Sequence, residues 1–319
     1  MKVCLSNNTF RAFEKVFRDF FKDQEVLLLD QLGNLIEGEG KPEVVFASYE
    51  IMFKCLHDQD YRKKIFSLVD GCEFIQGSWA GIESKVTQDL IKRTKYFSHG
   101  GGVHAITLAT YVFAQMLRHV KGIDAHIELQ KKKEWKQILL PGELTDMIIG
   151  IAGFGGIGEE IARLAKAFRM KVYATKRNPV SSDNLDRLFK PSDLEEMIKE
   201  CDFVVNCLPV TQETKKVFSL NQFKAMRESA MFINVGRGET VQEQDLFTAL
   251  DSGEIACAAL DTTDPEPLAQ DSPLWELKNC FITPHDSAWG PRAPERAVNL
   301  FLENMKRYLS NKKILNLVE

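Results

Sequence analysis

Between residues 147 and 285, short apolar runs recur at intervals that a helix could bridge. They fall at 147–152, 171–175, 203–208, 231–235, 256–260 and 280–283. Most are continuous rather than alternating, the pattern of strands buried on both faces of a parallel sheet. In the first intervening segment Ile157, Ile161, Leu164, Ala165 and Phe168 share one helical face. Ser192-x-x-Glu195 and Ser219-x-x-Gln222 have the spacing of capping boxes, with Thr240-x-x-Glu243 a third candidate. Gly253 is placed to stop a helix near Leu250 and Asp251. Six strands alternating with helices predict a doubly wound α/β domain.

The first hundred residues also alternate, with strand-like runs at 3–5, 26–29, 44–47, 74–75 and 96–98. They predict a second, smaller α/β domain. Gly100, Gly101 and Gly102 then interrupt the pattern before a long helical stretch at about 104–119, and are read as a hinge. A last amphipathic stretch, roughly 292–309, has no strand after it in the larger domain, so it is expected to cross back over the first. The expected division is 1–100 plus 291–319 against 101–290.

The larger domain carries Gly153-Phe154-Gly155-Gly156-Ile157-Gly158 between a strand and a helix. In that context the motif points to dinucleotide binding, because each glycine has a task. Gly153 permits a tight turn, Gly155 lets the backbone approach a pyrophosphate, and Gly158 lets helix pack closely on strand. The helix N-terminus, from Gly156 and Ile157, then faces the phosphates with unpaired N–H groups. A Rossmann domain is therefore expected. The next strand should end in an acid for the adenosine ribose, but Lys176 and Arg177 stand there instead. Two cations suit the 2′-phosphate of NADP better than the bare ribose of NAD, which is kept as the second possibility.

Three further residues follow strand ends: Arg237 in Asn-Val-Gly-Arg-Gly, Glu266 in Asp-Pro-Glu-Pro, and His285 in Thr-Pro-His-Asp. Ligands in open α/β sheets bind beyond the carboxyl ends of strands. A cation to hold a carboxylate, a histidine to move a proton and a carboxylate to keep it charged are the parts needed to reduce a 2-keto acid.

Composition narrows the setting. The net charge of −4 gives no basic footprint for nucleic acid. No apolar stretch is long enough to span a membrane, and the first ten residues lack the apolar core of a signal peptide. The seven cysteines show no Cys-x-x-Cys spacing, and the six histidines no metal-ligand cluster. A cytoplasmic protein with reduced thiols and no metal is expected.

Over almost its whole length, and most densely from Glu143 to Val298, the chain resembles the D-isomer-specific 2-hydroxyacid dehydrogenases. The resemblance rests on the glycine loop, Asn206-Cys-Leu-Pro-Val-Thr-Gln-Glu-Thr214, Ile233-Asn-Val-Gly-Arg237-Gly, Ala259-Leu-Asp261-Thr-Thr-Asp-Pro-Glu266-Pro, and Ile282-Thr-Pro-His285. It implies that Arg237, Glu266 and His285 are catalytic. It further implies that Leu208, Pro209 and Thr214 wall the adenosine pocket, that Val235 and Gly236 border the cofactor, and that Asp261 lies near the nicotinamide. Trp79-Ala80-Gly81-Ile82 resembles the turn whose backbone, at Ala80 and Gly81, binds the substrate carboxylate. Trp79 by itself reads as a core aromatic. The implied architecture is a Rossmann domain and a flavodoxin-like substrate domain, with a homodimer formed through the former. Glu266 separates the chain from formate dehydrogenases, which pair their histidine with Gln. Thr-Lys-Arg-Asn-Pro at 175–179 looks more like the NADPH-preferring glyoxylate and hydroxypyruvate reductases. Thr110, where many members have Glu, and Thr262-Thr263, where Val-Phe is usual, have no functional account. The expected activity is reduction of a small 2-keto acid to the D-2-hydroxy acid. The alternative is a dinucleotide-sensing regulator resembling the corepressors of the same fold.

Overall fold

The computed structural model describes residues 1–138 and 142–318, which form two compact units. Unit 1 comprises Met1–Val103 and Pro291–Glu319, and unit 2 comprises His104–Gly290.

Unit 1 is built on β1 (Lys2–Ser6), β2 (Glu25–Leu29), β3 (Leu35–Glu37), β4 (Val44–Ala47), β5 (Cys72–Gly77) and β6 (Thr94–Ser98). Around the sheet lie α1 (Asn7–Ala12), α2 (Glu14–Phe20), α3 (Tyr49–His57), α4 (Gln59–Val69) and α5 (Lys85–Ile91). The strand order is β3-β2-β1-β4-β5-β6, and only β3 runs antiparallel. Apart from that strand the order is the flavodoxin-like one expected.

β3 is absent from the sequence reading because three residues with Ile36 and Glu37 exposed carry too little apolar signal. A turn creates it instead. The Asp30 carboxylate accepts the N–H groups of Leu32 and Asn34, and Gly33 takes φ +76°.

Unit 2 contains α6 (Ala105–Val120), α7 (Ile123–Lys131), β7 (Ile148–Ala152), α8 (Gly156–Ala167), β8 (Lys171–Thr175), β9 (Arg187–Phe189) and α9 (Leu194–Ile198). It continues with β10 (Phe203–Asn206), α10 (Leu220–Ala225), β11 (Met231–Asn234), α11 (Glu243–Ser252), β12 (Cys257–Leu260) and β13 (Cys280–Ile282). The order β13-β12-β11-β10-β7-β8-β9 is parallel throughout and reverses direction between β7 and β10, as in a Rossmann fold. The sheet has seven strands rather than the expected six, because the short β9 joins without a crossover helix.

One face of the sheet buries Val112, Phe113 and Met116 of α6 with Ile161 and Ala165 of α8. The other buries Met197, Phe223 and Leu246 of α9, α10 and α11.

The chain then returns to unit 1 through α12 (Ala293–Leu309). Phe301 stacks on Phe46 of β4 at 4.9 Å. Fully buried Asn304 donates to Gln76 Oε1 and accepts the Leu315 N–H, both within 2.8 Å, which ties the helix to β5 and to the chain end.

Two local expectations need correction. The capping box forms at Ser219 and Gln222 but not at the other two sites. Ser192 lies inside a 3-10 turn and bonds Asp193, while Thr240 bonds the Arg237 carbonyl. Gly253 does close α11, with φ +77°. At the glycine run 100–102, which immediately precedes the division of the units after Val103, close backbone approach accounts for Gly100: a Cβ there would lie 2.4 Å from the Ser78 carbonyl oxygen, whereas Gly102 has φ +90° and would meet nothing within 4 Å.

Candidate active site

The glycine loop matches its expected division of labour. Gly153 has φ +97° and Gly158 sits so near β7 that a Cβ would come 2.7 Å from the Gly153 carbonyl oxygen. A Cβ on Gly155 would meet nothing within 4 Å, so the space above it is open to a ligand. The loop is pinned to β8 by Gly153 N–H on Thr175 Oγ1 at 3.1 Å and by Phe154 N–H on the Thr175 carbonyl at 2.9 Å. An α-helix of twelve residues begins at Gly156, so its N-terminal donors face that open space. These features fit a dinucleotide pyrophosphate.

The two cations after β8 separate. Lys176 is half-buried and its Nζ donates to the Phe154 carbonyl at 2.6 Å, so it braces the glycine loop. Arg177 is 74% exposed and lies 4.0 Å from the equally exposed Glu213. The sequence expectation gives Arg177 the main contact to a 2′-phosphate and Lys176 an assisting one; here the Lys176 ammonium is engaged with the loop, and Arg177 is highly exposed.

A buried amide network organises the strand ends. Asn206, the last residue of β10, donates to Asn234 Oδ1 at 2.9 Å and to Thr240 Oγ1 at 2.7 Å, and accepts the Leu208 N–H. Asn234, the last residue of β11, accepts the Gly236 N–H. Thr240 Oγ1 donates to the Arg237 carbonyl at 2.6 Å. One connected network thus fixes the Leu208 loop and the Arg237 turn. Sequence reasoning passed over Asn206, Asn234 and Thr240. The available signal was an amide ending each of two neighbouring apolar strands.

Val235 is buried and its N–H is bonded to Asn206, so its side chain belongs to the core. Thr214 Oγ1 closes its own loop by donating to the Pro209 carbonyl. Gly236 is required by close approach, since a Cβ would lie 2.8 Å from the Leu208 carbonyl oxygen.

Arg237, Glu266 and His285 follow β11, β12 and β13, three adjacent strands. His285 Nδ1 lies 2.8 Å from Glu266 Oε2, and the other carboxylate oxygen accepts the Thr263 N–H. The hydrogen bond to Glu266 raises the imidazole pKa above its ordinary value against burial and the Arg237 charge, which both lower it. Burial pushes Glu266 up, but the bond and charge of His285, the Thr263 N–H and Arg237 outweigh it and leave Glu266 lowered. The pairing favours the protonated imidazole and the ionised carboxylate, and it engages Nδ1, which leaves Nε2 for other chemistry. Arg237 Nη1 donates to the Gly236 carbonyl at 2.8 Å, which sets the direction of the guanidinium.

Asp261, expected beside the nicotinamide, is buried with its carboxylate bonded to Thr283 and Ser287. Ala80 and Gly81 belong to unit 1, in the turn after β5. Trp79 is a core residue there, its indole N–H bonded to Thr87. Among the described residues no group of three or more metal-ligating side chains occurs, and no helix is long and apolar enough to cross a membrane.

A parallel sheet with a glycine-rich phosphate loop at its switch point and a His–Glu pair beyond its strand ends defines a nicotinamide-dependent α/β oxidoreductase. Residues 113–287 match the family model for the NAD-binding domain of D-isomer specific 2-hydroxyacid dehydrogenases. The chain belongs to that family, whose members are NAD(P)-dependent oxidoreductases.

It is 30% identical over 261 residues to an uncharacterized protein of Corynebacterium melassecola, covering 79% of this chain and 84% of that one. It is 35% identical over 212 residues to glyoxylate/hydroxypyruvate reductase B of Salmonella newport strain SL254. That match covers 64% of this chain and 65% of the relative, just under two thirds of its length. Two solved structures share the fold over all of this chain at 22% identity. One is a D-isomer specific 2-hydroxyacid dehydrogenase from Xanthobacter autotrophicus Py2 in complex with NADPH and MES, with TM-score 0.78 and 97% of that chain covered. The other is an NADPH-dependent glyoxylate/hydroxypyruvate reductase from Sinorhizobium meliloti in complex with NADP and sulfate, with TM-score 0.74 and 98% covered.

Proposed function

We propose that this protein reduces a small 2-keto acid to the D-2-hydroxy acid, with NADPH as the preferred cofactor and glyoxylate or hydroxypyruvate as favoured substrates. The observation that carries the reading is the Glu266–His285 pair at 2.8 Å beside the Arg237 turn, in the unit that matches an NAD-binding domain. A nicotinamide cofactor, held by the Gly153–Gly158 loop and the N-terminus of α8, would supply the hydride. The Arg237 guanidinium holds the carboxylate and polarises the keto oxygen through its planar fork. His285 Nε2 donates the proton to that oxygen as the C2–H bond forms, and Glu266 stabilises the imidazolium until then. In the reverse direction neutral His285 takes the hydroxyl proton. For unit 1 by itself, we propose, from the family resemblance, that the turn at Ala80 and Gly81 offers backbone N–H groups to a carboxylate.

The preference for NADPH rests on Arg177 and on the lack of an acid at the end of β8. A charge-assisted bond to the 2′-phosphate is worth roughly 1.5–3 kcal/mol, which converts to about tenfold or more in kcat/KM. Its exposed pairing with Glu213 is screened by water and offers weak competition. The test is NADPH and NADH oxidation with a panel of 2-keto acids, for wild type, Arg177→Ala and Glu213→Gln. Arg177→Ala should lose the NADPH preference and Glu213→Gln should increase it. Equal efficiency with both cofactors in the wild type would return Arg177 to the solvated surface. NADPH binding without turnover of any keto acid would overturn the enzyme reading in favour of a dinucleotide sensor.

A further inference from the structure

His285 carries φ +53°, a left-handed conformation that L side chains rarely adopt without support from their surroundings. Those surroundings converge on Asp261, 1% exposed immediately after β12. Asp261 Oδ1 accepts Thr283 Oγ1 at 2.7 Å and the Ser287 N–H at 3.1 Å. Asp261 Oδ2 accepts Ser287 Oγ at 2.5 Å. One carboxylate therefore grips the chain two residues before His285 and two residues after it. The Tyr111 hydroxyl, 3.1 Å from Thr283 Oγ1, backs the same grip from α6.

We propose that Asp261 is the positioning residue of the site: by clamping Thr283 and Ser287 it imposes the left-handed turn at His285 and so makes the Glu266–His285 pair. The geometry explains why the aspartate is buried among hydroxyl and N–H donors. A buried carboxylate needs such partners, and every donor named here belongs to the segment that must be held. Its consequence for turnover rests on the proposed role of His285, but the clamp itself is a property of the cofactor-free protein.

The charged groups acting on the imidazole are Glu266, Arg237 and Asp261 itself. Removing the Asp261 charge would lower the His285 pKa even without a clamp. The test therefore loosens the clamp and keeps the charge. The His285 Cε1–H resonance, assigned with His285→Gln, is titrated by NMR in the cofactor-free protein for wild type and Thr283→Val/Ser287→Ala. The same titration is repeated in each background with Glu266→Gln.

The clamp predicts that the double variant titrates closer to the ordinary imidazole value than wild type does. It also predicts that Glu266→Gln then produces little further shift, because the pair has already opened. In turnover, kcat should fall by about one to two orders of magnitude, with the NADPH dissociation constant changed less than about threefold. Thr283→Ser, which retains the hydroxyl, should behave as wild type. An unchanged His285 titration in the double variant overturns the proposal. So does a variant that loses NADPH affinity while the Glu266 coupling persists, which would make Asp261 a cofactor contact. If the double variant fails to fold, Ser287→Ala alone carries the same measurement, since it leaves the N–H bond in place. Full activity of His285→Gln would defeat the proposed function and leave the titration result standing by itself.

Discussion

The ring of His285 is 42% exposed and Glu266 is 40% exposed, so water moderates their attraction and geometry matters more than raw charge. The pair nevertheless sets the direction of every pH effect. A raised imidazole pKa keeps the proton donor loaded, so reduction should run at full rate at low pH and fall as pH rises through that value. Oxidation should show the mirror image. Glu266→Gln removes the main cause of the shift, so the alkaline limb for reduction should move to lower pH, visible in kcat against pH. An unmoved limb would remove Glu266 from this role. Stability follows the same signs. The raised His285 contributes most below its unfolded value of 6.5, and that contribution fades as pH rises through the folded value. The lowered Glu266 contributes above 4.5 and is lost as pH falls through its folded value. His285→Ala should lower kcat by about two to four orders of magnitude while NADPH binding stays near wild type.

At the scale of elements, each proposed catalytic side chain hangs on a turn after a strand, and the turns fit against one another. Gly238, next to Arg237, shows how closely: a Cβ there would lie 2.0 Å from the Thr263 carbonyl oxygen, in the loop that leads to Glu266. Backbone cannot yield as a side-chain tip can. Gly238→Ala should therefore force the Arg237 and Glu266 turns apart, raising KM and lowering kcat together, with a lowered Tm. A variant with wild-type kinetics would show that the two turns move independently.

Legibility follows the same division. Buried parallel strands were readable because continuous apolar runs have few other uses, and the trio was readable because its motifs follow those runs. β9 and β3 escaped because three residues carry no period. The failed capping boxes at Ser192 and Thr240 show that spacing alone cannot decide between a cap and a tertiary partner. The clamp at Asp261 was illegible for a related reason. Its partners, Thr283 and Ser287, are common polar residues twenty-two and twenty-six positions away, and only the fold brings them to one carboxylate.

For the molecule as a whole, the least satisfied stretch is the arm that follows α6. α7 has no buried residue, and it presents Ile123 and Ile127, 43% and 44% exposed, one turn apart. Trp135 beyond it is fully exposed. A nine-residue helix has little stability of its own in water and needs a packed face. The Arg118–Asp124 salt bridge ties α7 to α6. A homodimer, which the family resemblance implies, would cover such an arm with a second copy of this chain. Burying an isoleucine is worth about 1.5–3 kcal/mol, so Ile123→Asp/Ile127→Asp should weaken association by at least about a hundredfold. Light scattering coupled to gel filtration should give twice the 36.3 kDa chain mass for wild type and a concentration-dependent fall toward the monomer for the variant. Because the arm lies outside the Glu266–His285 pair and the turns that carry Arg237, Glu266 and His285, the His285 titration in the variant should match wild type. A wild-type protein that remains monomeric at all concentrations would leave the exposed isoleucines without this explanation.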